Sequence, residues 1–321
     1  SHIWRCLPLN KKAIKDISAS VRARLLNLAR STGRDFNELA VRYTVERFLA
    51  RLAASEYRDK FILKGAMLYI PWRLDEKRTT MDLDLLGFGS SDLKSMEKVF
   101  RQICDTVVEN DGIRFDNESI AVSMIREEAF YDGVRIVARA ALGNMHLRLQ
   151  IDAGFGVPVI PAPQETEFPA LLAEHGPIIY SYSPETVIAE KFNAMVVLGM
   201  ANSRLKDYFD IWMLSRNFTI EADILLEAVK QTFGRRHTEL PHREPVALSE
   251  DFSGNQSKQQ QWQGFISRQR KQKAVPGLPE IIKALRAFLL PIISGIDTGV
   301  LLVKTWQPEQ GWTRSDDQAN R

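Results

Sequence analysis

The sequence has few cysteines and no long apolar run, and both features narrow the class of protein. Cys6 and Cys104 are the only two cysteines in 321 residues, too few for a disulfide framework or a zinc cluster. We therefore expect a protein of a reducing cytoplasm. The longest apolar stretch, residues 284–303, is interrupted by charged residues, proline and glycine, so it lacks the roughly 20 consecutive apolar residues that cross a bilayer. We expect neither a membrane span nor a signal peptide.

A strong charge of either sign is also missing. Lysine and arginine total 43 and aspartate and glutamate total 40, which gives a net charge of +3 at pH 7. This balance permits a polyanionic partner without requiring one. The 45% hydrophobic content is that of an ordinary globular protein. The length exceeds what one hydrophobic core usually organises, so we expect subdomains that share a cleft.

The spacing of apolar residues divides the chain into four parts. Residues 1–60 have helical periodicity, and residues 61–160 alternate short apolar runs with polar breaks. Residues 161–295 return to helical periodicity after a proline-rich stretch, and residues 296–321 form a polar tail. The predicted fold class is therefore α+β, with a small mixed-sheet core flanked by N-terminal and C-terminal helical regions.

Finer patterns predict the individual elements. Two N-terminal helices are separated by a break at residues 31–34, with Asp35 as the N-cap of the second. Strands are predicted at residues 81–86, 120–126, 135–141 and 145–153. Helices are predicted at residues 91–109, 184–198, 203–214, 221–232 and 280–288. The glutamine-rich residues 249–263 are either a loop or the start of a charged helix, and the tail is either mobile or docked through Trp306 and Trp312.

The segment around Asp82 and Asp84 carries the clearest chemical signal. Side chains alternate along a strand, so both aspartates share one face, together with Thr80 two residues earlier. Two carboxylates this close repel each other unless a cation offsets their charge. Mg²⁺ takes such oxygen ligands and completes its shell with water and substrate phosphate. The pattern predicts either a magnesium site or a plain exposed polar face.

A third carboxylate, Asp152, ends another predicted strand. It falls on the polar face of that strand and can meet Asp82 and Asp84 if the two strands are neighbours. Three carboxylates on one open sheet face could hold two Mg²⁺ ions, one at an attacking hydroxyl and one at nucleotide phosphates. The alternative is a turn residue at a strand end. Gly154 and Gly156 follow at once and allow close backbone approach.

Two charged residues lie on otherwise apolar helix faces. Lys191 shares a stripe with Val187 and Met195, where a buried ammonium group is costly unless it is paired or contacts an anion. Lys191 is either a cation aimed at a triphosphate or a lysine whose amine reaches water. Asp207 either orients Lys191 or Arg204, acts nearer the reacting groups, or simply ties two helices together through a buried lysine.

Basic residues also gather in short clusters. The three in the C-terminal region are Arg235-Arg236-His237, His242-Arg243 and the run from Arg268 to Lys273. Such clusters either follow an RNA backbone or form a solvated helix or loop face. His237 and His242 have no clear third partner, so a zinc site is not expected.

Taken together, these residues resemble the AbiEii/AbiGii toxin family, a branch of the polymerase-β-like nucleotidyltransferases. The shared motifs keep their order over residues 61–214 and are Leu63-Lys64-Gly65, Arg78-x-x-x-Asp82-x-Asp84-Leu85, Ile151-Asp152-x-Gly154, Glu190-Lys191 and Arg204-x-Lys206-Asp207-x-x-Asp210. The chain departs from the family after Gly65, where Ala66 replaces the usual second glycine, serine or threonine. The departure affects nucleotide affinity more than the class of reaction.

The resemblance implies a Mg²⁺-dependent nucleotidyltransferase toxin with a polymerase-β-like core. Such an enzyme would transfer a nucleotide from an NTP to an RNA, with tRNA the leading acceptor, and would have a cognate antitoxin. The implied metal ligands, for two Mg²⁺ ions, are Asp82, Asp84 and Asp152. The implied catalytic residues are these three with Lys191 and Asp207. The implied nucleotide contacts are Lys64, Gly65, Arg78, Thr80, Lys191 and Arg204.

Two alternatives remain open at this point. The same site could modify a protein hydroxyl, as an AMPylating enzyme does. The chain could also be a nucleotide-binding or RNA-binding regulator that has lost turnover, for which Ala66 is the single hint. Three mutually repelling carboxylates argue against the regulator, because a retired active site has no reason to keep them.

Overall fold

The computed structural model describes residues 16–74, 81–127, 131–156, 159–268 and 275–314. The fold is a mixed α/β architecture built on a seven-stranded sheet, with a second sheet of three short strands. The predicted α+β class with a mixed sheet is confirmed. Within the described ranges, no helix has both the length and the apolar content that crossing a membrane requires.

Two helices open the described chain, α1 (Ile17–Thr32) and α2 (Phe36–Ala54). Asp16 and Asp35 cap them, each accepting a backbone N–H three residues ahead at 2.9 Å, which satisfies donors that a helix start leaves open. Gly33, at φ 66°, ends α1 in the left-handed region. The predicted break and N-cap are confirmed.

The main sheet brings distant parts of the chain side by side. Its strands are β1 (Phe61–Lys64), β2 (Asp82–Gly87), β3 (Ile113–Glu127), β4 (Tyr131–Leu142), β5 (Met145–Phe155), β6 (Gln164–Glu167) and β7 (Ile178–Ser181). Their order across the sheet is β3-β4-β5-β2-β1-β7-β6. The β2–β5 and β1–β7 pairs are parallel, and the remaining neighbours are antiparallel. Helix α3 (Leu93–Asp105) packs with α2 against the sheet, and Phe100 stacks on Phe48 at 6.0 Å between ring centres.

Helices dominate after the main sheet. They are α4 (Pro184–Leu198), α5 (Leu205–Asn217), α6 (Ala222–Arg235), α7 (Glu250–Gly254), α8 (Gln256–Arg268) and α9 (Leu278–Thr298). Helix α4 begins as predicted, with the Ser183 hydroxyl accepting the Thr186 N–H and proline in the first turn. The glutamine-rich segment at 249–263 is helical, and Ser249 caps its first helix. Its weak apolar periodicity explains why the sequence predicts either a loop or a helix for this segment.

The sheet extends past the boundary that we expected at residue 160. Strand β7 pairs with β1, where Leu63 lies opposite Ser181, and β6 pairs with β7. Both strands have four residues, too few for period-two alternation to stand out beside a proline-rich stretch. The division at residue 160 therefore does not coincide with the end of the sheet.

The tail packs onto the C-terminal helices as far as residue 314. Strands β8 (Ile220–Glu221), β9 (Val303–Gln307) and β10 (Gly311–Arg314) form the second sheet. The rings of Trp306 and Trp312 contact Phe288, with centres 4.8 and 5.6 Å away. Trp306 Nε1 donates to the Ser215 carbonyl at 2.6 Å. Of the two alternatives for this tail, docking through the tryptophans is the one observed.

Candidate active site

A row of charged residues crosses four strands of the main sheet. Lys64 on β1 lies opposite Asp84 on β2, Asp84 lies opposite Asp152 on β5, and Asp152 lies opposite Arg135 on β4. Neighbouring strands are about 4.8 Å apart, so these side chains form one continuous polar strip. Asp82 lies two residues along β2 on the same face, where it is exposed. The sheet topology brings together the three aspartates that the sequence singled out.

Arg135 engages Asp152 with two hydrogen bonds. Its Nε and Nη2 donate to the two carboxylate oxygens of Asp152, each at 2.7 Å. The hydrogen bonds that Arg135 donates to Asp152 raise the pKa of Arg135 against a smaller opposing effect of burial, and the charges of Asp152, Asp82 and Asp84 add to the rise. The guanidinium is therefore a counter-cation for the whole carboxylate cluster.

Sequence reasoning missed Arg135, although the sequence contains the necessary cue. Strands β4 and β5 are joined by a tight turn at Gly143, which pairs Leu142 with Met145. Counting back from that pair puts Arg135 opposite Asp152. The two predicted strands and the short link between them were therefore enough to place an arginine beside the third carboxylate.

The aspartates do not form a ready-made three-ligand metal centre. Among the described residues, no group of three or more histidine, cysteine, aspartate or glutamate side chains is arranged to hold a metal ion. In the structure both carboxylate oxygens of Asp152 accept hydrogen bonds from Arg135. Asp82 and Asp84 are therefore the better candidates for a pair of carboxylates that binds a divalent cation.

Gly65 supports Asp84 from the end of β1. Its φ is +70°, a conformation that side chains disfavour, and a Cβ at this position would lie 2.1 Å from Asp84 Oδ2. The Asp84 carboxylate is therefore seated directly against the glycine. A 3₁₀ turn, Gly65–Tyr69, starts at this point.

We predict that Gly65→Ala reduces the nucleotide transfer implied by the family resemblance by about a hundredfold, because the new methyl group displaces the Asp84 carboxylate, and misplacement of about 1 Å can have an effect of this size. Gly33→Ala is the matched control, since Gly33 also has a positive φ, at +66°, but has open space around its Cα. The control should lose only about 1–2 kcal/mol of stability and keep its transfer rate. Transfer assays and thermal melting of both variants check the prediction, and equal activity in the two would contradict it.

Lys191 lies between two carboxylates of α5. Its Nζ is 2.9 Å from Asp207 Oδ1 and 2.7 Å from Asp210 Oδ2, and both aspartates have fully buried side chains. Arg204 Nε lies 2.8 Å from Asp207 Oδ2. Burial alone would lower the pKa of Lys191, but the nearby acidic groups, Asp210 foremost, outweigh it and raise the pKa. The lysine therefore stays charged, and Asp207 orients both Lys191 and Arg204.

These groups meet in a cleft of about 240 Å³. Of the residues predicted to bind nucleotide, the cleft is lined by Lys64, Gly65, Lys191 and Arg204, and Asp84 lies at its sheet side. Arg78 and Thr80 lie outside the described residues. The lining also includes Glu190, Lys206, Asp210 and Arg236. Asp207 does not line the cleft and lies behind Lys191 and Arg204, with its carboxylate in contact with both.

A family model described as "Nucleotidyl transferase AbiEii toxin, Type IV TA system" matches residues 47–285. This match spans the whole cleft and most of the chain, and it defines the protein as a nucleotidyltransferase. The chain belongs to the AbiEii toxin family of type IV toxin–antitoxin systems.

Two solved structures from Helicobacter pylori align with most of the chain. JHP933 is 15% identical, with a TM-score of 0.45 over 81% of this chain and 94% of its own. A candidate nucleotidyltransferase is 16% identical, with a TM-score of 0.42 over 81% of this chain and 98% of its own. No protein of curated function matches the sequence.

Proposed function

We propose that this toxin transfers a nucleotide from an NTP to an RNA in a Mg²⁺-dependent reaction, with tRNA the leading acceptor. The observation that carries the proposal is the row of Lys64, Asp84 and Asp152 beside a cleft lined by cationic side chains. Carboxylates that bind a divalent cation, next to cations that bind phosphate, provide the electrostatic stabilisation that nucleotide transfer needs.

The residues present fit a magnesium ion. Carboxylate oxygens are the ligands that Mg²⁺ prefers, and Asp152 already holds a cationic group, the Arg135 guanidinium, through two hydrogen bonds. Asp82 and Asp84 would hold the ion, and Asp152 would join as a ligand for a second ion by exchanging its contact with Arg135. Bound there, Mg²⁺ would polarise the phosphate oxygens and neutralise the charge that develops on them.

The remaining residues act on the nucleotide. Lys64, Lys191 and Arg204 supply positive charge toward the phosphates, and the turn that follows Gly65 offers backbone N–H donors. Arg78 and Thr80, which lie outside the described residues, complete the nucleotide contacts that we propose. We further propose a cytoplasmic location and an antitoxin partner, which follow from an RNA substrate and from the type IV family.

Labelled nucleotides test the proposal. The protein is incubated with each α-labelled NTP and Mg²⁺, with either total RNA or lysate protein as acceptor, and Asp84→Asn and a chelator serve as controls. We expect label on RNA, concentrated in the tRNA fraction, and none in either control. Label on protein instead would identify an AMPylating type of enzyme. Nucleotide binding without transfer to either acceptor would identify a regulator.

A further inference from the structure

Two arginines at the end of α6 line concave sites rather than a solvated face: Arg236 lines the cleft, and Arg235 lines an adjoining compartment. Arg235 closes the helix and Arg236 follows it, and their side chains are only 14% and 15% exposed. Sequence reasoning had assigned them to a basic cluster on an RNA-binding or solvated surface. Buried guanidinium groups are costly unless they meet an anion, and Glu190 supplies one to both arginines.

Glu190 on α4 lies against both arginines. Its carboxylate accepts from Arg235 Nη2 at 3.3 Å and lies 3.9 Å from Arg236 Nη2, and the Tyr182 hydroxyl donates to it at 3.2 Å. Glu190 directly precedes Lys191 in the chain. One turn of α4 therefore positions three basic groups: Glu190 holds the two arginines, and Lys191 carries the third.

Positive charge exceeds negative charge around this cleft. Among its described lining residues, five are cationic and three are acidic. The cations are Lys64, Lys191, Arg204, Lys206 and Arg236. Charges of one sign that converge inside a concave, poorly solvated site favour a ligand of opposite sign and of several charges. A polyphosphate chain has that charge, whereas the base and ribose of a nucleotide do not.

A second compartment adjoins the cleft and shares Lys64, Glu190 and Arg236 with its lining. It is lined by Lys64, Arg235 and Arg236, and its floor includes Gly154 and Gly156 at the end of β5. Gly154 lies opposite Leu86, two residues along the strands from the Asp84–Asp152 pair. Glycine exposes its backbone, so an anion can approach this floor closely. Because Arg236 lines both compartments, a ligand at Asp84 can extend directly into the second one.

We propose that Arg235 and Arg236 bind the β- and γ-phosphates of the NTP, and that Glu190 positions both guanidinium groups. The inference rests on the proposed nucleotide transfer. In that reaction the acceptor oxygen bonds to the α-phosphorus and gives up its proton to solvent. The bond from the α-phosphorus to the bridging oxygen breaks, and its electron pair leaves with pyrophosphate. Two planar guanidinium groups suit the charge that collects on this leaving group. A nucleoside monophosphate lacks the β- and γ-phosphates, so this contact favours the binding of triphosphates over monophosphates. It does not involve the base and therefore does not distinguish one NTP from another.

Inorganic tripolyphosphate is the direct probe, measured by calorimetric titration into the full chain. We expect Arg236→Gln to weaken its binding by about tenfold or more, the usual effect of losing a charge-assisted contact. Arg236→Lys should give an intermediate loss, because lysine keeps the charge but not the fork. Arg22→Gln, on the exposed face of α1, should bind like wild type. Wild-type affinity in both Arg236→Gln and Arg235→Gln, with unchanged melting, would overturn the proposal.

The variant Glu190→Gln tests whether Glu190 positions the two arginines or only balances their charge. If Glu190 only opposes the arginines, removing its charge should tighten tripolyphosphate binding. If it positions them, binding should weaken although the net positive charge of the site increases, and we expect a loss of about threefold to tenfold. Tighter binding in this variant would refute the positioning role of Glu190.

Transfer kinetics distinguish this inference from the function on which it rests. We expect Arg236→Gln to raise the KM for NTP by about tenfold and to leave the KM for RNA unchanged. A raised KM for RNA with normal tripolyphosphate binding would instead assign the arginines to the acceptor. Should the wild-type protein transfer no nucleotide, the proposed function fails, while loss of tripolyphosphate binding in the variant would still locate an anion site here.

Discussion

Asp84→Asn is expected to lower nucleotide transfer by about a thousandfold while the protein stays folded. Asparagine has nearly the same shape, so it fits against Gly65 where the aspartate sits. The substitution removes one charge from a cluster in which Asp84 lies beside Asp152, and relief of that repulsion should hold or slightly raise the melting temperature. Transfer of labelled nucleotide, measured with melting of the same sample, checks both parts.

Two further variants sharpen this experiment. Asp82→Asn, on the same strand face, should show a similar loss if the two carboxylates share a cation. Asp105→Asn, at the exposed end of α3, removes a comparable charge far along the chain from the motif and should keep full activity. Transfer by Asp84→Asn within about threefold of wild type would exclude the metal assignment, because loss of a metal ligand cannot have so small an effect.

Strong local signals made much of the fold predictable. The amphipathic pattern and the Asp35 cap specify α2, and the Ser183-Pro184 start specifies α4. Strand β5 was recognisable because Leu147, Leu149 and Ile151 alternate with polar residues. Strand β7 gave no such signal, since its four residues pair in parallel with a strand more than a hundred positions earlier. Contacts of that kind depend on topology rather than on local pattern.

The candidate site, like the fold, was predictable from the sequence where local pattern decides and unpredictable where topology decides. Asp82 and Asp84 share a face because of strand alternation alone, and Lys191 drew attention because it interrupts an apolar stripe. The β2–β5 pairing that places Asp152 beside Asp84, and the cleft that Asp84 and Lys191 both line, are supplied only by the structure. Arg236 gave no sequence cue to its position, because a basic residue at a helix end is ordinarily solvated and favoured by the helix dipole. Its burial against Glu190 follows from the packing of α6 on α4.

The second large effect concerns Lys191. Lys191→Ala should reduce stability by about 3–5 kcal/mol, because it leaves the fully buried carboxylates of Asp207 and Asp210 without their shared cation. The raised pKa of Lys191 means that its stabilisation is present below the ordinary lysine pKa and is lost only as the pH rises through the higher folded-state value. The loss in the variant should therefore be nearly constant from about pH 6 to pH 9. Chemical denaturation across that range measures it.

Activity and stability at Lys191 can be separated with a compensated variant. Lys191→Met combined with Asp210→Asn removes both charges of one ion pair and leaves Asp207 with Arg204, so most of the lost stability should return. Transfer should stay low, since the cleft still lacks its ammonium group, whereas Lys191→Arg should keep far more activity than Lys191→Ala. Restored transfer in the double variant would mean that Lys191 only ties α4 to α5. Equal and small losses in the alanine and arginine variants would favour a lysine whose amine merely reaches solvent.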